Sequence, residues 1–151
     1  MPAPVSPAEP PGLDDFLCFT IYSTSHAFNR VYTPLLDALG LTYPQYLVLV
    51  ALWAEDGQTV GGLGDKLFLE SNTLTPLLKR LEALGHVTRR RDPGDERQVR
   101  IGLTAQGRAL RQRACDVPCR ILEASGLSLE SLRRLQGEIA ALRERLRASS
   151  G

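Results

Sequence analysis

Apolar residues recur at helical spacing along most of this chain and at strand-like spacing over one short stretch. The first periodic segment is expected to start at Asp14, a side chain suited to capping free backbone N–H groups, and to run to about Arg30. Leu17, Thr20, Ile21, Ala27, Phe28 and Val31 fall near one of its faces. Thr33-Pro34 reads as the start of a short second helix, because proline suits a first turn, and Gly40 as its end. Thr42-Tyr43-Pro44-Gln45 has the spacing of a capping box. The helix it opens carries Leu47, Val48, Val50, Ala51, Leu52 and Trp53, and is expected to be central; Asp56-Gly57 stops it.

Two short helices follow, near Val60–Leu67 and Ser71–Leu84, joined by Phe68-Leu69-Glu70. This is the helix-turn-helix pattern. On the second of the two, Leu74, Leu77, Leu78, Leu81 and Leu84 turn inward. Asn72, Thr75, Pro76, Lys79 and the tip of Arg80 are left outside, and Gly85 terminates the helix. Val87–Arg91 and Gln98–Leu103 read as strands around the turn-rich Asp92-Pro93-Gly94-Asp95-Glu96, giving a hairpin wing. Thr104 caps a long helix expected to reach Ser125 with a bend at Pro118. Gly126 closes it and Ser128 caps the last helix. There Leu129, Leu132, Leu135, Ile139, Leu142 and Leu146 form a seam suited to a partner helix.

The fold class that follows is mainly α with a small β-hairpin. A winged helix-turn-helix occupies about 43–103, with dimerisation helices at about 14–38 and 104–147. The 151 residues suffice for one domain, 13–151, preceded by a flexible Pro-rich arm, 1–12. That arm lacks the basic-then-apolar order of a secretory signal, and no apolar run is long enough to span a bilayer. Three cysteines without a signal fit a reduced, cytoplasmic setting better than a disulfide framework. His26 and His86 lie far apart, so no metal-ligand spacing exists and no cofactor is expected.

A net charge of +1 provides no global field for nucleic acid, so any affinity must be local. The hairpin supplies such a patch: Arg89, Arg90, Arg91, Arg97 and Arg100, with Asp92, Asp95 and Glu96 among them. An arginine run alone is more often a solvated face. Beside a helix-turn-helix it suits phosphates, because the guanidinium fork donates two parallel hydrogen bonds. Asp95 can pair with Arg97 and aim an arginine at a minor groove, while helix 71–84 enters the major groove. The residues expected at duplex DNA are Asn72, Thr73, Thr75, Pro76, Lys79, Arg80, Arg89, Arg91, Asp95 and Arg97. One such module binds weakly. A homodimer would set two reading helices about 34 Å apart on a near-palindromic site.

The order of elements resembles the MarR family of winged-helix regulators over nearly the whole chain. Leu74-Thr75-Pro76-Leu77-Leu78-Lys79-Arg80-Leu81-Glu82, then Gly85, then Asp95-Glu96-Arg97-Gln98-Val99 carry the likeness. Leu17-Cys18-Phe19, Val31-Tyr32 and Leu41-Thr42-Tyr43-Pro44-Gln45-Tyr46-Leu47 are similar to the organic hydroperoxide sensors, the OhrR-type repressors. The resemblance implies that Cys18 is the peroxide-sensing residue, that Tyr32 and Tyr43 hydrogen-bond its sulfur, and that a small dimer represses a thiol peroxidase gene. It also implies, in two-cysteine members, a resolving cysteine about one turn beyond Cys119, where Glu123 stands. Cys119 is thus a displaced candidate and Cys115 a weaker one, four residues apart on one helix; a packed thiol, or capture by a small cellular thiol, are the alternatives.

A lone cysteine is more often a small buried hydrophobe. The phenols change that reading, because only a thiolate attacks peroxide efficiently and hydrogen bonds to the anion favour it. Phe16, Leu17, Phe19 and Phe28 would give an apolar surround favouring organic hydroperoxides. His26, two turns from Cys18, is too far to be its base, and His86 reads as a capping or packing residue. A regulator released by a small aromatic ligand, with Cys18 inert, is the alternative. A thiol peroxidase is disfavoured, since the chain has no Cys-X-X-Cys and an enzyme has no use for the arginine hairpin. Reaction at Cys18 would be stoichiometric, so the chain is read as no enzyme.

Overall fold

A computed structural model describes residues 10–151; most of the expected N-terminal arm, residues 1–9, lies outside the described residues. Leu13–Asp15 form a single 3-10 turn in which the Asp15 carboxylate accepts from the Gly12 N–H at 2.9 Å. The first α-helix, α1, therefore starts at Leu17 and not at Asp14.

Helix α1 runs unbroken from Leu17 to Asp37, so the break expected before Thr33 does not occur. Pro34 forfeits one hydrogen bond, but Thr33 Oγ1 donates to the Asn29 carbonyl at 2.7 Å. On the far side Leu36 is fully buried, with Val31, Tyr32 and Leu35 packed against the core. Tertiary packing carries the helix through its proline. Helix α2 (Tyr43–Ala54) opens on the capping box read from the sequence: Thr42 Oγ1 accepts from Gln45 N, and Gln45 Oε1 from Thr42 N at 2.9 Å. It is central on one face only. Val48, Leu49 and Leu52 are fully buried, while Val50 is 41% exposed.

Next come a two-residue strand, β1 (Gln58–Thr59), the helices α3 (Val60–Leu67) and α4 (Ser71–Ala83), and the hairpin β2 (Val87–Asp92) and β3 (Asp95–Leu103). The sheet order is β1-β3-β2, antiparallel throughout. A side chain on Gly64 would put its Cβ 2.7 Å from the Leu69 carbonyl, so glycine lets α3 close on the turn into α4. Leu63, Leu74, Leu78, Leu81, Val87 and Ile101 knit these elements to α2.

The long helix expected after Thr104 is two, α5 (Ala105–Arg113) and α6 (Val117–Ser125). Pro118 in the first turn of α6 has no N–H to continue the ladder. Helix α6 packs on α1, and Arg113 donates to the Ala38 carbonyl at 3.2 Å. The Asp56 carboxylate ties three segments, accepting from Gly57 N, Leu103 N and Arg108. Helix α7 (Leu129–Ser150) buries none of its residues; Leu129, Leu135, Ile139 and Leu146 of its seam stand exposed.

Candidate functional site

Helix α4 is one-sided. Leu74, Leu77, Leu78 and Leu81 are buried against α2 and α3, which leaves Asn72, Thr73, Pro76, Lys79 and Arg80 exposed and Thr75 half-buried. Leu84, expected to face inward, is 45% exposed, because the helix ends at Ala83 before Gly85 turns the chain. The outward residues form a stripe of hydroxyls, one amide and two cations.

The hairpin is longer and tighter than its sequence suggests, with only Pro93-Gly94 at the turn. Register runs regularly from Val87↔Leu103 to Arg91↔Val99, then jumps to Asp92↔Asp95. Glu96, Arg97 and Gln98 therefore bulge out of the ladder, which is how one hairpin can thrust a side chain away from its strands. Arg97 is 92% exposed, and Asp95 Oδ1 accepts from both its backbone N–H (3.1 Å) and its Nε (3.2 Å). Asp95 thereby aims Arg97 outward from the tip. Arg91 donates to the Glu96 carbonyl at 3.0 Å, and Arg100 pairs with Asp92 at 3.1 Å and bonds the Gly57 carbonyl. Nε of half-buried Arg89 is the buried side-chain nitrogen without a partner among the described residues.

Cys18 sits exposed in the first turn of α1, flanked by exposed Phe16, Leu17 and Phe19. Tyr32 lies fourteen residues further along the same helix, about 21 Å away at 1.5 Å per residue. One copy of the chain thus keeps thiol and phenols apart. The phenols meet each other: the Tyr32 and Tyr43 ring centroids are 4.7 Å apart, and Tyr46 stands 6.1 Å from Tyr32. A pocket of about 190 Å³ opens beside them, lined by Tyr32, Thr33, Leu36, Leu41, Thr42 and Tyr43 among others. Burial, and then the neighbouring phenols, push Tyr32 up to about 12; burial also raises Tyr43 and Tyr46. All three remain protonated, hence available as donors, at any physiological pH.

Two further tyrosines, not among the expected site residues, lie near these groups. Tyr46 follows Tyr43 by three residues and Tyr22 follows Cys18 by four, spacings that place each pair on one helix face. Tyr22 meets His26 in a tilted ring pair with centroids 4.4 Å apart. Cys115 and Cys119 do not share a helix: Cys115 lies in the turn before α6 and Cys119 in its first turn, both exposed. His86 is buried at the end of α4, where burial and then the charge of Arg113 hold its pKa below the ordinary value.

Among the described residues no cluster of His, Cys, Asp and Glu could hold a metal, and no helix is long and apolar enough to cross a membrane. Residues 30–113 match the family described as transcriptional regulator SarA/Rot. The chain is 50% identical over 143 residues to the HTH-type transcriptional regulator TtmR of Methylorubrum extorquens, covering 95% of this chain and 73% of that protein. It is 46% identical over 134 residues to the organic hydroperoxide resistance transcriptional regulator of Bacillus subtilis, covering 89% and 91%. It superposes on reduced AbfR bound to DNA with a TM-score of 0.75 at 39% identity, covering 89% of this chain and 93% of the other. Against the disulfide-formed AbfR the TM-score is 0.61 at 41% identity, covering 86% and 91%.

Proposed function

The chain belongs to the SarA/Rot family of MarR-like winged-helix transcriptional regulators, and from that premise we propose that it is a repressor that releases DNA when an organic hydroperoxide oxidises Cys18. Its operator would control a peroxide-detoxifying gene. The observation that carries the reading is the separation of thiol from phenols along one rigid helix, with an open pocket beside the Tyr32–Tyr43 pair. A second copy supplies what one copy lacks. Exposed Leu17, Phe19, Ile21 and Phe28 on α1 and the seam on α7 give the apolar surface for that pairing, which brings Cys18 of one subunit to the phenols of the other.

There the phenol O–H groups donate to the sulfur and favour its anion. The thiolate attacks the terminal oxygen of the hydroperoxide and the O–O bond breaks. The hydroperoxide proton ends on the departing alkoxide, giving an alcohol, and the sulfur, oxidised by two electrons, is left as a sulfenate. Once protonated, this sulfenic acid condenses with a second thiol, forming a disulfide and water. Cys119, exposed on α6, is the chain's own candidate, ahead of Cys115. The apolar side chains around Cys18 favour organic over hydrogen peroxide. Each oxidation consumes one site, so the reaction is sensing and not turnover.

On DNA, α4 would enter the major groove with Asn72, Thr73, Thr75, Pro76, Lys79 and Arg80, and the wing would set Arg97, aimed by Asp95, in the minor groove. Arg89 and Arg91 at the hairpin would face the backbone phosphates. The test is operator affinity before and after cumene hydroperoxide for wild type, Cys18→Ser and Cys119→Ser. Wild type should release DNA and Cys18→Ser should not; a Cys18→Ser protein that still released it would defeat the reading.

A further inference from the structure

Phe68 is the non-glycine residue with positive φ among the described residues, at φ 57° and ψ 40°. A bulky side chain in this left-handed region is disfavoured, and such a residue persists only where its surroundings hold it. Its position gives it leverage. Phe68 caps the C-terminus of α3, with its N–H bonded to the Gly64 carbonyl, and stands three residues before α4 begins at Ser71. The direction in which α4 leaves the turn depends on the dihedral angles of this residue.

Its ring does not enter the core; the residue is 43% exposed. Two guanidinium groups from α7 cover it, Arg143 with its central carbon 4.2 Å from the ring centroid and Arg147 at 4.8 Å. Both distances lie within the range of attraction between a cation and a π face. Arg143 also pairs with Glu144 at 3.2 Å, which offsets part of the repulsion between the two guanidiniums one helical turn apart and lets both converge on the ring. The same stretch of α7 faces α1 across an open cleft: Ile139, Leu142, Arg143, Leu146 and Arg147 line one side and Ile21 the other. Ile21 follows Cys18 by three residues, about one turn along α1. Helix α7 thus stands between the turn after the thiol, which it faces across an open cleft, and the turn that launches the DNA-reading helix, which it touches through Phe68.

We propose that Phe68 with Arg143 and Arg147 is the joint by which the C-terminal helix holds α4 in its DNA-binding attitude, and that oxidation at Cys18 releases this joint. The three are positioning residues, and the release step rests on the sensor function proposed above. A joint closed only in the reduced protein stabilises only that form. Losing it must weaken DNA binding by the reduced protein and leave the oxidised protein unchanged, whereas a merely structural contact would weaken both alike.

The experiment measures operator Kd for reduced and cumene hydroperoxide-treated protein in wild type, Arg143→Gln/Arg147→Gln and Phe68→Leu. An Arg133→Gln/Arg145→Gln protein, altered at exposed positions of α7, controls for the loss of two positive charges. Arg143→Lys/Arg147→Lys, which keeps cations over the ring, should restore most of the wild-type behaviour. The expected result is a reduced-state Kd about fivefold weaker than the charge control, with an unchanged oxidised-state Kd. Equal shifts in both forms, or a reduced-state Kd matching the charge control, would overturn the joint. Wild-type protein that kept its DNA after peroxide would instead sink the sensor reading, and the release step with it.

Discussion

Tyr32 and Tyr43 come from different helices and meet with ring centroids 4.7 Å apart, the first from the second half of α1 and the other from the first turn of α2. Their hydroxyls are protonated at neutral pH and border an open pocket. If they stabilise the Cys18 thiolate, Tyr43→Phe should slow its oxidation by cumene hydroperoxide roughly tenfold at pH 7, the effect of losing one hydrogen bond to an anion. Competition kinetics followed by mass spectrometry would measure it. Rates equal to wild type would remove Tyr43 from the site.

The wing makes a separate prediction. Arg97 stands exposed at the tip, where among the described residues its side chain is held by Asp95. Arg97→Ala should weaken operator binding about tenfold and lower the salt slope of log K by about 0.9 if one phosphate contact is lost. Asp95→Asn should cost less, because it loosens the aim and keeps the cation. Fluorescence anisotropy over a salt series reads both; an unchanged slope with unchanged affinity would take Arg97 off the DNA.

His86 sets a pH dependence of stability. Its pKa lies below the ordinary 6.5 in the folded chain, because burial and Arg113 oppose the charged ring. The unfolded chain therefore binds the proton more tightly. This contribution is intact above pH 6.5 and lost as the pH falls through the folded value. His86→Gln should flatten the drop in Tm between pH 7.5 and pH 5. Parallel melting curves for the two proteins would show that another group governs the acid limb.

Gly64 tests how closely α3 meets the turn. A methyl group there would stand 2.7 Å from the Leu69 carbonyl, inside contact distance. Gly64→Ala should destabilise the protein by about 1–3 kcal/mol in urea unfolding, despite the higher helix propensity of alanine. A variant as stable as wild type would mean that the turn gives way freely.

Much of this arrangement was legible in the sequence, and what was not has identifiable causes. The capping box at Thr42 and the inward Leu74, Leu77, Leu78 and Leu81 of α4 are local signals that hold in the structure, whereas Leu84 stands exposed and the turn expected over residues 92–96 narrows to Pro93-Gly94. Pro34 misled, since a proline marks a first turn equally well as a tolerated break, and only the burial of Leu36 beyond it decides. Strand β1 has two residues and no period to detect. The largest gap is a distance: the motifs name Cys18, Tyr32 and Tyr43 together, and only the fold shows Cys18 and Tyr32 fourteen residues apart on one helix. The partnership of Phe68 with Arg143 and Arg147 spans some 75 positions of chain and leaves no mark in any local pattern.

The unbroken rod of α1 has a genetic corollary. If sulfur and hydroxyls always come from opposite members of a pair, a subunit lacking its sulfur and another lacking its hydroxyls are complementary. Co-expressed in one cell, two crippled alleles would rebuild one intact detector in each mixed pair, so either mutant gene could partly rescue the other.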